Sequence, residues 1–118
     1  MANRSAAREQ FIQDIFVTAI EGGINYWVNF QSINKIEWPQ DIVGWRYESV
    51  HILDDDGDSY VIDKNTIIKG INMIVKRNAE QDKALILANR TNGYDGDYDA
   101  LDADKIVQFG LFGDLVYA

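Results

Sequence analysis

Residues 50–63, Val-His-Ile-Leu-Asp-Asp-Asp-Gly-Asp-Ser-Tyr-Val-Ile-Asp, decide the fold. An apolar run breaks at Asp54-Asp55-Asp56-Gly57-Asp58, where Asp-Gly supports a tight hairpin turn, and resumes at Tyr60-Val61-Ile62. The outgoing strand is read from about Gly44 to Leu53, with Trp45, Tyr47, Val50 and Ile52 mixing two faces. Upstream, Tyr26, Val28 and Phe30 alternate with Trp27, Asn29 and Gln31, the period of a strand with one apolar face. Ile36 and Trp38 keep that parity until Pro39, the single proline, ends the run. Together these segments predict a three-stranded antiparallel meander.

Outside the meander the period lengthens. Ser5 can cap a helix whose apolar positions are Phe11, Ile12, Ile15, Phe16, Ala19 and Ile20, with Gly22-Gly23 as a left-handed stop. Asp63 caps a second helix carrying Ile67, Ile68, Ile71, Ile74 and Val75, closed by Lys76 and Arg77 near its negative end. Gly70 inside it costs about 1 kcal/mol relative to Ala, so another backbone is expected to pass close by. Glu80–Arg90 reads either as a helix or as a short strand at Leu85-Ile86-Leu87. A loop from Thr91 to Asp99 precedes a last helix with Asp99 or Asp102 as its cap. Asp102 or Asp104 favours that helix's positive end, and Phe112–Tyr117 either continues it or turns back. The expectation is an α+β fold: three or four helices packed on one face of the meander, in a single domain spanning 1–118.

Composition narrows the chemistry. The chain has 118 residues, 47% hydrophobic side chains and a net charge of −8, which opposes direct contact with nucleic acid. Without cysteine there is no disulfide, thiolate nucleophile or cysteine-based zinc site. His51 is the single histidine and lacks a visible nucleophile or orienting partner. No run reaches the roughly 18 apolar residues of a membrane span, and MANRSAAREQ has no signal core, so an intracellular protein is expected.

Two clusters could bind something. At Glu21-Gly22-Gly23-Ile24-Asn25-Tyr26-Trp27 a bare glycine pair lies beside a carboxylate, an amide and two rings, the groups that stack on a flat ligand and bond its edge. The alternative is a plain helix end. At Asn92-Gly93-Tyr94-Asp95-Gly96-Asp97-Tyr98-Asp99 the alternating carboxylates evoke a calcium loop. Counting from Asp95, however, Ala100 stands at position 6 and Ile106 at position 12, where glycine and glutamate are required. No metal, cofactor or catalytic residue is assigned. Arg46 and Arg90 are candidates for a specific polar role, and Arg46, between Trp45 and Tyr47, suits a phosphate or a partner carboxylate. The candidate ligand-binding set is therefore Glu21, Gly22, Gly23, Asn25, Tyr26, Trp27, Arg46, Arg90, Asn92 and Tyr94, with the Asn92–Asp99 turn brought against the glycine bend to frame a pocket.

Thr18-Ala19-Ile20-Glu21-Gly22-Gly23-Ile24-Asn25-Tyr26-Trp27, the Asn92-Gly93 turn and Leu111-Phe112-Gly113-Asp114-Leu115-Val116-Tyr117 resemble a family of small phage-encoded proteins. Its members carry a T-A-x-E-G-G-x-N-Y-W block and a terminal L-F-G-x-x-V-Y block. The resemblance implies a phage protein acting in the cytoplasm of the bacterial host, and no activity. The expected function is counter-defence by binding a small polar or nucleotide-derived ligand, with homo-oligomerisation to deepen the pocket. Alternatives are an acidic inhibitor or DNA mimic that binds a host protein, and a metal-dependent hydrolase using Glu21 with the Asp95–Asp104 carboxylates.

Overall fold

The computed structural model describes residues 5–37 and 45–118. Helix α1 (Ala6–Thr18) runs into a π-helical turn (Ala19–Gly23), then β1 (Asn29–Glu37), β2 (Trp45–Leu53), β3 (Ser59–Asp63), α2 (Lys64–Arg77), a 3-10 turn (Glu80–Asp82), α3 (Lys83–Thr91) and α4 (Ala100–Phe112). The sheet is antiparallel in the order β1-β2-β3. It is the expected α+β meander with four helices. Trp38, Pro39 and Gly44 lie outside the described residues.

The strand period sorts the sheet's faces. Val50, Ile52 and Ile62 are buried under the helices, while His51 and Val61 between them are exposed. His51 is thus an outer-face residue. Strand β1 breaks the alternation twice, with register shifts at Phe30/Ser32 and Asn34/Lys35. Ile33 pairs opposite Val50 and is 44% exposed.

Caps define the helices. Ser5 accepts from the Arg8 amide at 3.1 Å, and Asp63 with Thr66 and Asp99 with Asp102 form reciprocal capping pairs on α2 and α4. Gly70 has the reason its sequence position demanded. A Cβ there would run into the Ile106 carbonyl of α4, and one at Gly110 would run into the Thr66 carbonyl of α2. Each helix presents a glycine to the other, so their backbones approach more closely than side chains would permit.

Two open alternatives resolve and two expectations change. Glu80–Arg90 is helical throughout, the 3-10 turn leading into α3, with Leu85 and Ala88 burying one stripe at helical spacing. Tyr26 and Trp27 precede the meander in a turn, and β1 starts only at Asn29. Gly22 and Gly23 are not left-handed: the helix widens into a π-turn closed by the Ile24 amide on the Ala19 carbonyl at 3.1 Å. The segment after α4 turns back at Gly113, whose φ of 76° is left-handed.

Candidate functional site

The π-turn aims the chain across the start of α4. Gly23 is buried there, and a Cβ on it would lie 2.6 Å from the Ala100 carbonyl oxygen. Gly22 is exposed, with nothing within 4 Å of a Cβ built on it. Half of the bare bend is therefore covered by the protein itself and half faces solvent.

Just beyond the bend, three neutral donors converge on one buried carboxylate. Asp104 accepts from the Tyr26 hydroxyl at 2.6 Å, the Trp27 indole at 2.8 Å and the Gln108 amide at 2.9 Å. Gln108, one helical turn after Asp104, fixes its own amide orientation. Its oxygen accepts from the Val116 and Tyr117 amides, both at 2.8 Å, so its nitrogen must face Asp104 and the Tyr117 carbonyl. Residues 114–118 are thereby strapped over α4. Tyr117 stacks on Trp27 with ring centroids 4.8 Å apart and planes 8° from parallel, and Phe112 closes on both rings.

Ionisation of Tyr26 is opposed by its partial burial, by its hydrogen bond to Asp104 and by that carboxylate's charge, which raise its pKa to about 12. Tyr117 is raised to about 12 by desolvation, then by its hydrogen bond to Asp54 and the charges of the aspartate turn.

The ring face that the sequence reading offered to a ligand at Trp27 is occupied by Tyr117. A cleft of about 280 Å³ stays open beside Tyr26, walled by Leu101, Lys105, Leu115, Val116 and Tyr117. Half of the large apolar side chains left exposed among the described residues lie in it: Tyr26, Leu101, Leu115 and Val116. Lys105 donates to Asp82 at 2.7 Å, so its ammonium is committed away from a ligand.

The other sequence candidates scatter. Glu21 and Asn25 are exposed near the bend. Arg46 lines a separate, shallow depression of about 210 Å³ with Tyr47, Asp63 and Lys64. Arg90 is exposed, Tyr94 is 90% exposed, and Asn92 accepts from Arg8 at 3.2 Å. The Asn92–Asp99 turn packs along α1 instead of the glycine bend, with Gly93 and Tyr98 against Phe11. Its last residue caps α4, which leaves Ala100 and Asp104 to meet the bend. Among the described residues no three His, Asp or Glu side chains gather where a metal ion could be held.

Sequence reasoning missed Asp104, Gln108 and Tyr117. Asp104 is too far into α4 to serve as a cap and binds Tyr26 and Trp27 instead. Its spacing from Gln108, four residues on, was the available signal: two polar side chains on one buried helix face. The two blocks that carried the phage resemblance meet here, Tyr26 and Trp27 from one against Phe112 and Tyr117 from the other. Within a two-layer α+β domain, the site is an aromatic clasp centred on a carboxylate, with an apolar cleft on its open side. No protein-family model, curated protein or solved structure matches the chain. Among the described residues no helix is long and apolar enough to cross a membrane.

Proposed function

We propose that this protein is a binding module, not a catalyst, and that it takes a small flat group, such as the base of a nucleotide-derived signal, in the cleft beside Tyr26. The observation that carries the reading is the convergence of Tyr26, Leu101, Leu115 and Val116 on one cleft. A half-exposed phenol ring among aliphatic walls stacks on a flat ring system and leaves its polar edge toward water. At about 280 Å³ the cleft lies near the lower end of ligand pockets, roughly 300–1,000 Å³, and suits one ring system better than a whole oligonucleotide. Its one cation is already paired, which favours an uncharged moiety over a phosphate. The phage resemblance makes counter-defence in a bacterial host the setting.

Isothermal titration against nucleosides, cyclic ADP-ribose isomers and cyclic oligonucleotides tests this. Binding that is lost in Leu101→Asp, whose side chain is 74% exposed and can change without unfolding the chain, is the expected result. Silence across the panel, or binding indifferent to Leu101→Asp, defeats the proposal.

A second reading, an acidic inhibitor of a host protein, is favoured by the exposed carboxylates of Asp55, Asp56, Asp58, Asp95, Asp97 and Asp99. Capture of one host protein at low salt, abolished by neutralising these groups, distinguishes it.

A further inference from the structure

Helix α2 carries four cations, Lys64, Lys69, Lys76 and Arg77, and no acidic residue. The chain totals −8, so everything outside this helix carries −12 once those four positive charges are set aside. Two of the four are used internally: Lys64 lies 3.6 Å from Glu9 and Arg77 lies 2.8 Å from Asp82. Lys69 and Lys76 are exposed and have no ion-pair partner among the described residues.

Their spacing organises them. Asn65, Lys69, Asn72 and Lys76 recur at four, three and four residues, all exposed, and so form one straight ridge on the side of α2 opposite Ile67, Gly70, Ile71 and Ile74. The ridge is about 16 Å long and alternates amide with ammonium. It bears donors along its whole length and no carboxylate.

A complementary feature stands elsewhere on the same chain. In the turn between β2 and β3 the Asp54 carboxylate faces inward and accepts from the Asp56 and Asp58 amides at 3.0 and 2.9 Å. That bonding stiffens the tip and turns Asp55, Asp56 and Asp58 outward, all exposed. Three carboxylates on one short rigid turn match a ridge of two ammonium groups interleaved with amide donors.

We propose that α2 is a self-association surface, whose Asn65-Lys69-Asn72-Lys76 ridge seats the aspartate turn of a second copy. A nucleic acid fits the ridge less well, because its phosphates would extend past two lysines onto a surface carrying the −12. The second copy presents three exposed carboxylates together on one narrow tip, short enough for the ridge to span. This association uses none of the apolar walls Leu101, Leu115 and Val116 of the cleft at Tyr26.

Sedimentation velocity on the full chain tests it, at about 20 mM and about 300 mM salt, where the screening length falls roughly fourfold. The expected result is concentration-dependent association at low salt that disappears at high salt. Lys69→Glu with Lys76→Glu should weaken it at least about tenfold while leaving the thermal midpoint unchanged, since both positions are solvent-exposed. Asp55→Lys with Asp56→Lys should do the same, and mixing the two variants should restore a heterodimer. A wild-type chain that stays monomeric at low salt overturns the proposal. So does association that survives the lysine reversals, or a ridge that retains a single-stranded oligonucleotide and never a second copy.

Discussion

Two carboxylates are buried among the helices, and the protein satisfies them by opposite means. Asp82, fully buried, takes two cations: Lys105 at 2.7 Å and Arg77 at 2.8 Å. Asp104, 4% exposed, takes the hydroxyl of Tyr26, the indole of Trp27 and the amide of Gln108, with no Lys or Arg paired to it among the described residues. The difference is one of purpose. A pair of flexible cations can follow a carboxylate through small shifts, and one of these, Arg77, is 40% exposed and also lies over the Phe109 ring. Ring donors cannot follow. Each has one N–H or O–H direction, so the Asp104 clasp holds a geometry where the Asp82 triad chiefly neutralises charge.

Removing each carboxylate should expose that contrast. Asp104→Ala leaves three donors without their acceptor and frees the 114–118 strap, a loss of about 3–5 kcal/mol. Chemical denaturation gives the loss, and a rise in Trp27 solvent accessibility should accompany it. Gly23→Ala strikes the same clasp through the backbone by forcing α4 away from the π-turn, at about 1–3 kcal/mol. Asp82→Asn should cost less, about 1–2 kcal/mol, because Arg77 and Lys105 both retain some access to water. If Asp82→Asn proves costlier than Asp104→Ala, the contrast drawn here is wrong.

The pH dependence should separate the two sites at opposite ends of the scale. Burial alone would raise the Asp82 pKa, but hydrogen bonds and charge from Lys105 and Arg77 overcome it and hold the group below the usual carboxylate range. Its folded pKa is thus below the unfolded one, so its stabilisation is present above about pH 4 and is lost as the pH falls through the folded value. Tyr26 is shifted the other way, to about 12. Its contribution is complete below about pH 10 and is lost as the pH rises toward 12. In stability–pH profiles, Asp82→Asn should make the acid limb shallower and leave the alkaline limb, while Tyr26→Phe should make the alkaline limb shallower, with Tyr117 still contributing to it, and leave the acid limb.

The smallest expected effect is the most discriminating for the glycine pair. Gly22→Ala meets open space at a negative φ and should be neutral to stabilising by about 0.5–1 kcal/mol, against the loss expected at Gly23. Thermal midpoints of the two variants, measured side by side, decide it.

Much of the architecture was readable from local chemistry. Ser5, Asp63 and Asp99 announce helix starts because a side-chain oxygen must satisfy free amides there, and Gly57 announces the hairpin because its φ of 83° suits few other residues. The interior glycine Gly70 announced a close approach, though not that its neighbour is Ile106. The Glu21–Trp27 segment stood out for its glycine pair and two rings, but its local conformation was not legible, because a π-turn and a strand entry draw on the same residue types and because the partner of the Trp27 ring, Tyr117, lies ninety residues on.

By itself the order of residues determined the meander, the helix caps and the acidic balance, since each depends on neighbours within a few positions or on simple sums. Only the tertiary structure decided that Asp104 and Gln108 gather Tyr26, Trp27 and Tyr117 into one clasp. It also decided that a cleft opens beside Tyr26, and that the cations of α2 divide into internal pairs and an exposed ridge with no ion pair among the described residues. The physical reason is distance along the chain: hydrogen bonds and ring stacking act over a few ångströms, and no local pattern states which remote residue will fill that space.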